Sequence, residues 1–261
     1  LLGVWRNKPG LIASLLAPLL LNLFFALIFL GVGDVYATDY TTMSHFGGLT
    51  QVAIGGMFQA AQPLLLRFPL DRAIFLREYA TSSYGAVPYF LSKSMIELPQ
   101  SLIASFLTWI AVYWLMGFHG SFVYATLVFW LTGLAAASTA LLVGCLATNP
   151  EVAQQVAPAI FVPQLLFAGF FIATEQIPVW LRWAQYLCSL KYGINLLILN
   201  EFGNATRADW PEPQQLEAQG IIDQNDIDPD YWWVNLLVLL ALTVAFRGAA
   251  ILVLSRRAAS F

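Results

Sequence analysis

Residues 11–33 read LIASLLAPLLLNLFFALIFLGVG, 23 residues without one charged side chain. As a helix rising 1.5 Å per residue the stretch is about 35 Å long, and the hydrocarbon core of a bilayer is about 30 Å thick. It therefore reads as a membrane-crossing helix. Working outward, apolar blocks recur at about 46–66, 98–118, 122–147, 156–174 and 233–254. Composition agrees: 59% of the 261 residues are hydrophobic and 10% are charged, with a mean hydropathy of +0.70. A soluble domain carries about 25% charged residues. The sequence predicts an all-α membrane protein with six transmembrane helices, forming a single membrane domain over residues 1–261.

The block at 46–66 is the least suited to lipid. GGLTQVAIGGMFQAAQPLLL (47–66) holds four glycines and three glutamines. Such a helix is better fitted to pack tightly against neighbours or to line a polar cavity.

Lys and Arg gather on the cytoplasmic side of membrane proteins. Arg6 and Lys8 precede the first block, Arg67, Arg72, Arg77 and Lys93 fill the second connection, and Arg256 and Arg257 follow the last. The first and third connections have none. Six spans put all these clusters on one side, so both termini and residues 67–97 are expected in the cytoplasm. Residues 175–232 then form a long external loop between helices five and six, with Arg182, Lys191 and Arg207 against nine acidic residues. Asn204-Ala205-Thr206 is a glycosylation sequon, usable only on the outer or lumenal face. Within the loop, PVWLRWAQYLCSLKYGINLLILNEF (178–202) has the Trp, Tyr and Leu content of helices lying at or dipping into the interface. Residues 203–231 are polar and acidic and read as an exposed lid or loop.

Several kinds of chemistry are missing. Lys8, Lys93 and Lys191 follow Asn, Ser and Leu, so none belongs to a G-x-x-x-x-G-K-[ST] phosphate loop. There is no HExxH, C-x-x-C or G-x-S-x-G. Cys145 and Cys188 make neither a disulfide framework nor a metal site. His45 and His119, in short outer connections, read as interfacial residues rather than ligands. No catalytic residue and no metal site are expected in this chain. Arg247 is the one charge clearly inside an apolar block, close enough to its end to snorkel. Ion-coupled carriers keep more intramembrane charge than this, so energy for any transport should come from outside these helices.

The densest mixture of charge and aromatic rings is FLREYATSSYGAVPYFLSKSMIELP (75–99). From Leu66 to Tyr84 the spacing is helical: Phe75 and Tyr79 share one face, while Asp71, Arg77 and Glu78 populate the other. A cytoplasmic amphipathic helix of this kind is either a snorkelling anchor that ends the second span or a docking element that receives force from a soluble partner.

The stretch resembles the ABCG (White/pleiotropic drug resistance) subfamily of ABC transporters, whose segment runs F-x-x-E, a Tyr-rich turn, then Y-F-x-x-K-x-x-x-E-L-P. A second block, FAGFFIATEQIPVWLRWAQYLCSLKYGINLLILNEF (167–202), is similar to the family's F-x-G-F, I-P-x-W, W-x-x-Y, K/R-Y and N-E-F series. Asn149-Pro150 and the Pro158/Pro163 pair stand where such transporters carry prolines. The resemblance covers the chain as a type-2 ABC exporter membrane domain. It implies an ABC nucleotide-binding domain, in the same polypeptide or separate, which binds the ATP and Mg that this chain does not. It also implies a second transmembrane domain, as homo- or heterodimer, around a central substrate cavity. Residues 66–84 would be the connecting helix, with Arg77, Glu78, Tyr79 and Tyr84 coupled to the ATPase. Glu97 would cap or pin the start of the third span, with Pro99 in its first turn, where a missing N–H costs little. Spans two and five would line the pathway through Phe58, Gln59, Gln62, Val162, Leu165 and Phe167. The two glutamines would orient an apolar ligand or bond across helices for packing. Phe170 and Phe171 match a bulky pair that forms a hydrophobic valve in some relatives, or else simply pack against core and lipid.

The expected function is the transmembrane domain of an ATP-driven exporter of lipids, sterols or hydrophobic small molecules, multi-pass in the plasma membrane or a eukaryotic endomembrane. Membrane lipid and the hydrophobic substrate are expected partners, and nucleic acid is not. The alternative is a membrane scaffold or regulatory subunit without transport. The chain does not begin with Met, which fits a piece of something longer.

Overall fold

The structure, a computed structural model, describes residues 8–80, 85–169 and 178–259. Every regular element among them is helical. α1 (Lys8–Ile28), α2 (Thr42–Ala80), α3 (Ala86–Met116), α4 (Phe122–Leu146) and α5 (Pro150–Leu166) come first. A 3₁₀ segment (Val179–Leu187), α6 (Ser189–Phe202), α7 (Asn204–Arg207), α8 (Glu212–Gln224), a 3₁₀ turn (Pro229–Tyr231) and α9 (Trp232–Ala259) follow. Three helical stretches are long and apolar enough to cross a bilayer: Val87–Met116, Phe122–Leu146 and Pro229–Arg257. Leu19–Ile28 is a shorter apolar helix.

α4 is central, packed by α2, α9, α6 and α3. It is apolar on every side, and a helix hydrophobic all round belongs in an interior. Ala135, Ala136 and Ala140 are fully buried, small enough to let neighbouring backbones approach. Its Thr132, Ser138 and Thr139 hydroxyls donate to carbonyls four residues back, so no polar group is left wanting. α1, α3 and α9 face outward. Leu20, Phe24, Ile103, Phe106, Leu237 and Val244 are all exposed, an apolar surface far larger than a water-soluble monomer carries.

The bundle has two unlike ends. Arg67, Arg72, Lys93, Arg256 and Arg257 lie where α2 and α9 finish and α3 begins; Glu201, Asp209, Glu212 and Glu217 lie beyond the start of α2 and the end of α6. The bundle thus has a basic end and an acidic end. Trp114, Trp180, Trp183, Tyr231 and Trp233 stand exposed at element ends on the acidic side, like the aromatic belts of membrane boundaries.

α2 has 39 residues, about 58 Å at 1.5 Å per residue, nearly twice a hydrocarbon core of about 30 Å. The expected second span and amphipathic connecting helix are thus one unbroken rod. Pro63 and Pro69 inside it each remove a backbone hydrogen bond without ending it. α3 also begins earlier than the expected third span. It starts at Ala86 after Gly85, so Pro88 occupies the first turn, where N–H groups lack helical partners anyway. The expectations that Glu97 caps a helix start and that Pro99 sits in a first turn are overturned, because both lie in the helix interior. α3 stops at Gly117, whose φ of 73° turns the chain so that the Phe118 N–H reaches back to the Tyr113 carbonyl at 3.2 Å.

The segment expected as an external loop is largely helical. α6 dips into the bundle against α4, α9 and α2, with Leu190, Leu196, Ile198 and Phe202 fully buried. At Gly193 an added Cβ would stand 2.1 Å from Thr132 Oγ1 of α4, so only glycine permits that approach. α8 docks through Ala218, Ile221 and Ile222, spaced to share one helical face. Reading 203–231 as an exposed lid is corrected accordingly.

Candidate functional site

The basic end of α2 is anchored on three sides. Phe75 is fully buried, its ring 4.6 Å from Tyr89 of α3 and 5.8 Å from the half-buried Tyr79. Phe68, Phe90, Leu141 and Leu254 complete that cluster. The helical spacing expected over Leu66 to Tyr84 holds as far as Ala80, and Phe75 and Tyr79 look onto the bundle. Glu78 is exposed. The Arg77 side chain, Tyr84, Phe170 and Phe171 lie outside the described residues. Arg72 is buried and donates to the carbonyls of Cys145, Ala147 and Thr148, while Arg257 donates to Leu146 O at 2.9 Å. The last carbonyls of α4 have no helical partners and carry the negative end of its dipole, so two guanidinium groups suit them. Burial, and then the neighbouring Arg257, lower the Arg72 pKa from its ordinary value.

α2 also packs along α5, with Phe58 and Phe161 rings 6.0 Å apart. Gln62 and Val162 are exposed; Phe58, Gln59 and Leu165 are half-buried. Phe167 is buried beside Cys188. Gln59 Oε1 accepts from Asn22 Nδ2 of α1 at 3.3 Å, a bond between helices.

Two polar centres escaped the sequence reading. Arg247 does not snorkel. Its Nη2 lies 2.8 Å from Glu97 Oε1, its Nη1 donates to Ser94 Oγ at 2.8 Å and its Nε to Ser138 Oγ at 3.0 Å. One guanidinium thereby ties α9 to α3 and α4. The lone arginine of one apolar block and the acid of Glu-Leu-Pro were both visible; their pairing was not.

The second centre is Glu201, 1% exposed. Its Oε1 accepts from the His119 N–H at 2.7 Å and lies 3.1 Å from His45 Nε2, and its Oε2 accepts from the Gly120 N–H at 2.9 Å. His45 is itself fully buried, which corrects its reading as an interfacial residue. Its Nε2 faces the Glu201 carboxyl group, with Tyr40 Oη 3.1 Å from Nδ1. Burial pushes the Tyr40 phenol up to about 12, against the Thr42 hydrogen bond and with help from Glu201 and Glu217. Thr42 Oγ1 donates to Glu217 Oε2 at 2.6 Å, fastening α8 over the start of α2. Nearby, Asn204 is exposed, its Oδ1 accepting from Arg207.

A cavity of about 380 Å³ opens between α2, α3 and α4. Gln59 and Glu97 line it, together with apolar walls from Phe68, Phe90, Phe129 and Trp130. A mostly apolar space with a few polar groups has the lining of a small-molecule site. Among the described residues no group of His, Cys, Asp and Glu is placed to hold a metal ion.

The chain matches the ABC-2 type transporter family over residues 1–202. It is 28% identical over 261 residues to ABC transporter G family member 1 of Dictyostelium discoideum, a match covering 95% of this chain and 32% of that protein. It is 27% identical over 252 residues to ABC transporter G family member 32 of Oryza sativa subsp. japonica, covering 94% and 17%. It is 24% identical over 248 residues to Pleiotropic drug resistance protein 1 of Petunia hybrida, covering 93% and 17%. The chain spans a third or less of the length of these relatives. With the family match extending over most of the bundle, the chain belongs to the ABC-2 type transporters and is a membrane domain of the ABCG and pleiotropic drug resistance kind.

Proposed function

We propose that this membrane domain works in an ATP-driven exporter of lipids, sterols or hydrophobic small molecules. In this reading six helices cross the bilayer: α1, the first part of α2, α3, α4, α5 and α9. The basic end lies in the cytoplasm, and the acidic end outside, where Asn204 is open to glycosylation. Two such domains pair through the α2/α5 face. Gln62 and Val162 line the pathway between them, Phe58, Gln59 and Leu165 stand behind, Phe167 lies at the outer end, and Phe170 and Phe171 serve as a hydrophobic valve. ATP and Mg bind on a nucleotide-binding domain, which grips Arg77, Glu78, Tyr79 and Tyr84.

The observation that carries this reading is the continuity of α2. One rod of 39 residues bears Gln62 on the α2/α5 face and the exposed Glu78 sixteen residues further on. A push at one end of a continuous helix moves the other. Gln62 and Val162, exposed on that face, are uncharged, which favours apolar or weakly polar cargo, because an ion would need partners there.

The test uses the full-length transporter, with ATP hydrolysis and export measured separately. Glu78→Ala is expected to keep hydrolysis and lose export, an uncoupled machine. Phe171→Ala is expected to lower net export with basal hydrolysis kept. Export at the wild-type level in both variants would remove the lever and the valve together.

A further inference from the structure

Among the described residues none of α5 lines the cavity between α2, α3 and α4, which shares Gln59 alone with the pathway residues, and its lining is ordered along its length. On α2 it runs from Gly56 to Asp71, about 22 Å of helix at 1.5 Å per residue. On α3 it runs from Tyr89 to Ser105, about 24 Å on the same rise. Arg67, Asp71 and Lys93 sit at the basic end, while Ala104, Ser105 and Phe129 sit toward the other. The space is therefore a slot, charged at one end and mostly apolar along the rest.

The sign of that charge follows from the pairings. Lys93 Nζ lies 2.7 Å from Asp71 Oδ2, and Glu97 Oε1 lies 2.8 Å from Arg247 Nη2. Among the described residues both acids of the lining are thus matched, Glu97 by an arginine outside it, which leaves Arg67, exposed at the mouth, as the surplus charge. Lys93 is 49% exposed, and an exposed pair is weak enough to exchange partners. The mouth is cationic.

We propose that this slot holds an acyl chain of an anionic phospholipid, with its phosphate headgroup at Arg67 and Lys93 and its tail against Phe68, Phe129 and Trp130. A purely apolar groove would take any tail in either direction; a surplus cation at one end selects both the headgroup and its orientation. The site is independent of what the transporter exports. Because α2 forms one wall, occupancy bears directly on the rod that carries the α2/α5 face.

The experiment uses full-length transporter stripped of lipid in detergent. Equal amounts of phosphatidylserine and phosphatidylcholine are added back, with inorganic phosphate in a parallel arm, and the adducts are read by native mass spectrometry. Wild type is expected to retain the serine lipid over the choline lipid by about fivefold, the scale of one basic residue at a bilayer surface. Arg67→Gln should bring the two to parity. Ala104→Phe, which fills the apolar end, should remove most of both adducts, and Ser105→Leu should act in the same direction should the larger ring prevent folding. Inorganic phosphate should not compete, since the tail supplies most of the contact. Equal retention of the two lipids by wild type, a preference untouched by Arg67→Gln, adducts unchanged in the filled variants, or displacement by phosphate alone would each overturn the assignment.

Discussion

Glu201 at the acidic end and Glu97 at the basic end are both carboxylates drawn into a helix bundle, and they are held in opposite ways. Glu201 is saturated by two backbone N–H groups and His45. Backbone donors cannot swing away, so the turn between α3 and α4 is fixed to the end of α6. Glu97 leans on one arginine side chain, the pair 15% and 21% exposed, at the wall of a cavity. Its neighbours Lys93 and Asp71 are wetter still. Side-chain pairs of this kind can change partners, whereas the cap at the other end cannot without unfolding. The contrast makes the acidic end a fixed roof, and leaves the charge pairs at the basic end the more exchangeable of the two.

The largest effect should come from breaking the roof. Glu201→Ala strands the N–H groups of His119 and Gly120 and the ring of His45, and is expected to cost about 4 kcal/mol, read as a lower melting midpoint of the full-length transporter. A midpoint equal to wild type would mean that water replaces the carboxylate and that this end is not rigid. Arg247→Leu leaves Glu97 unpaired within the bundle and should cost about 3 kcal/mol; adding Glu97→Leu should recover most of it, since a buried pair is often replaceable by apolar groups. A double variant as unstable as the single one would show that the Ser94 and Ser138 contacts matter more than the ion pair. Between the two ends, Gly56→Ala puts a Cβ 2.3 Å from Phe129 Cε2, and overpacking of this kind costs about 2 kcal/mol. The smallest change is expected from Lys93→Ala, below about 1 kcal/mol, because exposed pairs contribute little. A larger loss in thermal stability would place Lys93 in the fixed part of the molecule.

Much of the fold was legible because hydrophobicity is local and additive. The blocks at 98–118, 122–147 and 233–254 correspond to α3, α4 and α9, and the Phe75/Tyr79 spacing is the helical face that packs at the basic end. The Glu-Leu-Pro misreading has a plain cause. Prolines favour first turns, and nothing local shows that Pro88 already fills that role eleven residues earlier. The extra turns of α3 are held by contacts of Tyr89 and Phe90 with Phe75 and Phe68, which join two helices. Glu201 was visible in an Asn-Glu-Phe motif, yet its partner His45 is 156 residues away. Arg247 and Glu97 are 150 residues apart.

By itself the sequence determined that this chain is helical and at home in a bilayer, and that its two ends carry opposite charge, because those properties depend on runs of neighbouring residues. Only the tertiary structure decided which apolar faces are buried between helices and which are left exposed, since leucine suits protein and lipid equally. It also decided that α6 is interior, that α2 is one rod and that each glutamate has its own kind of partner. Those outcomes rest on contacts between distant segments, where shape and hydrogen-bond geometry discriminate and composition does not.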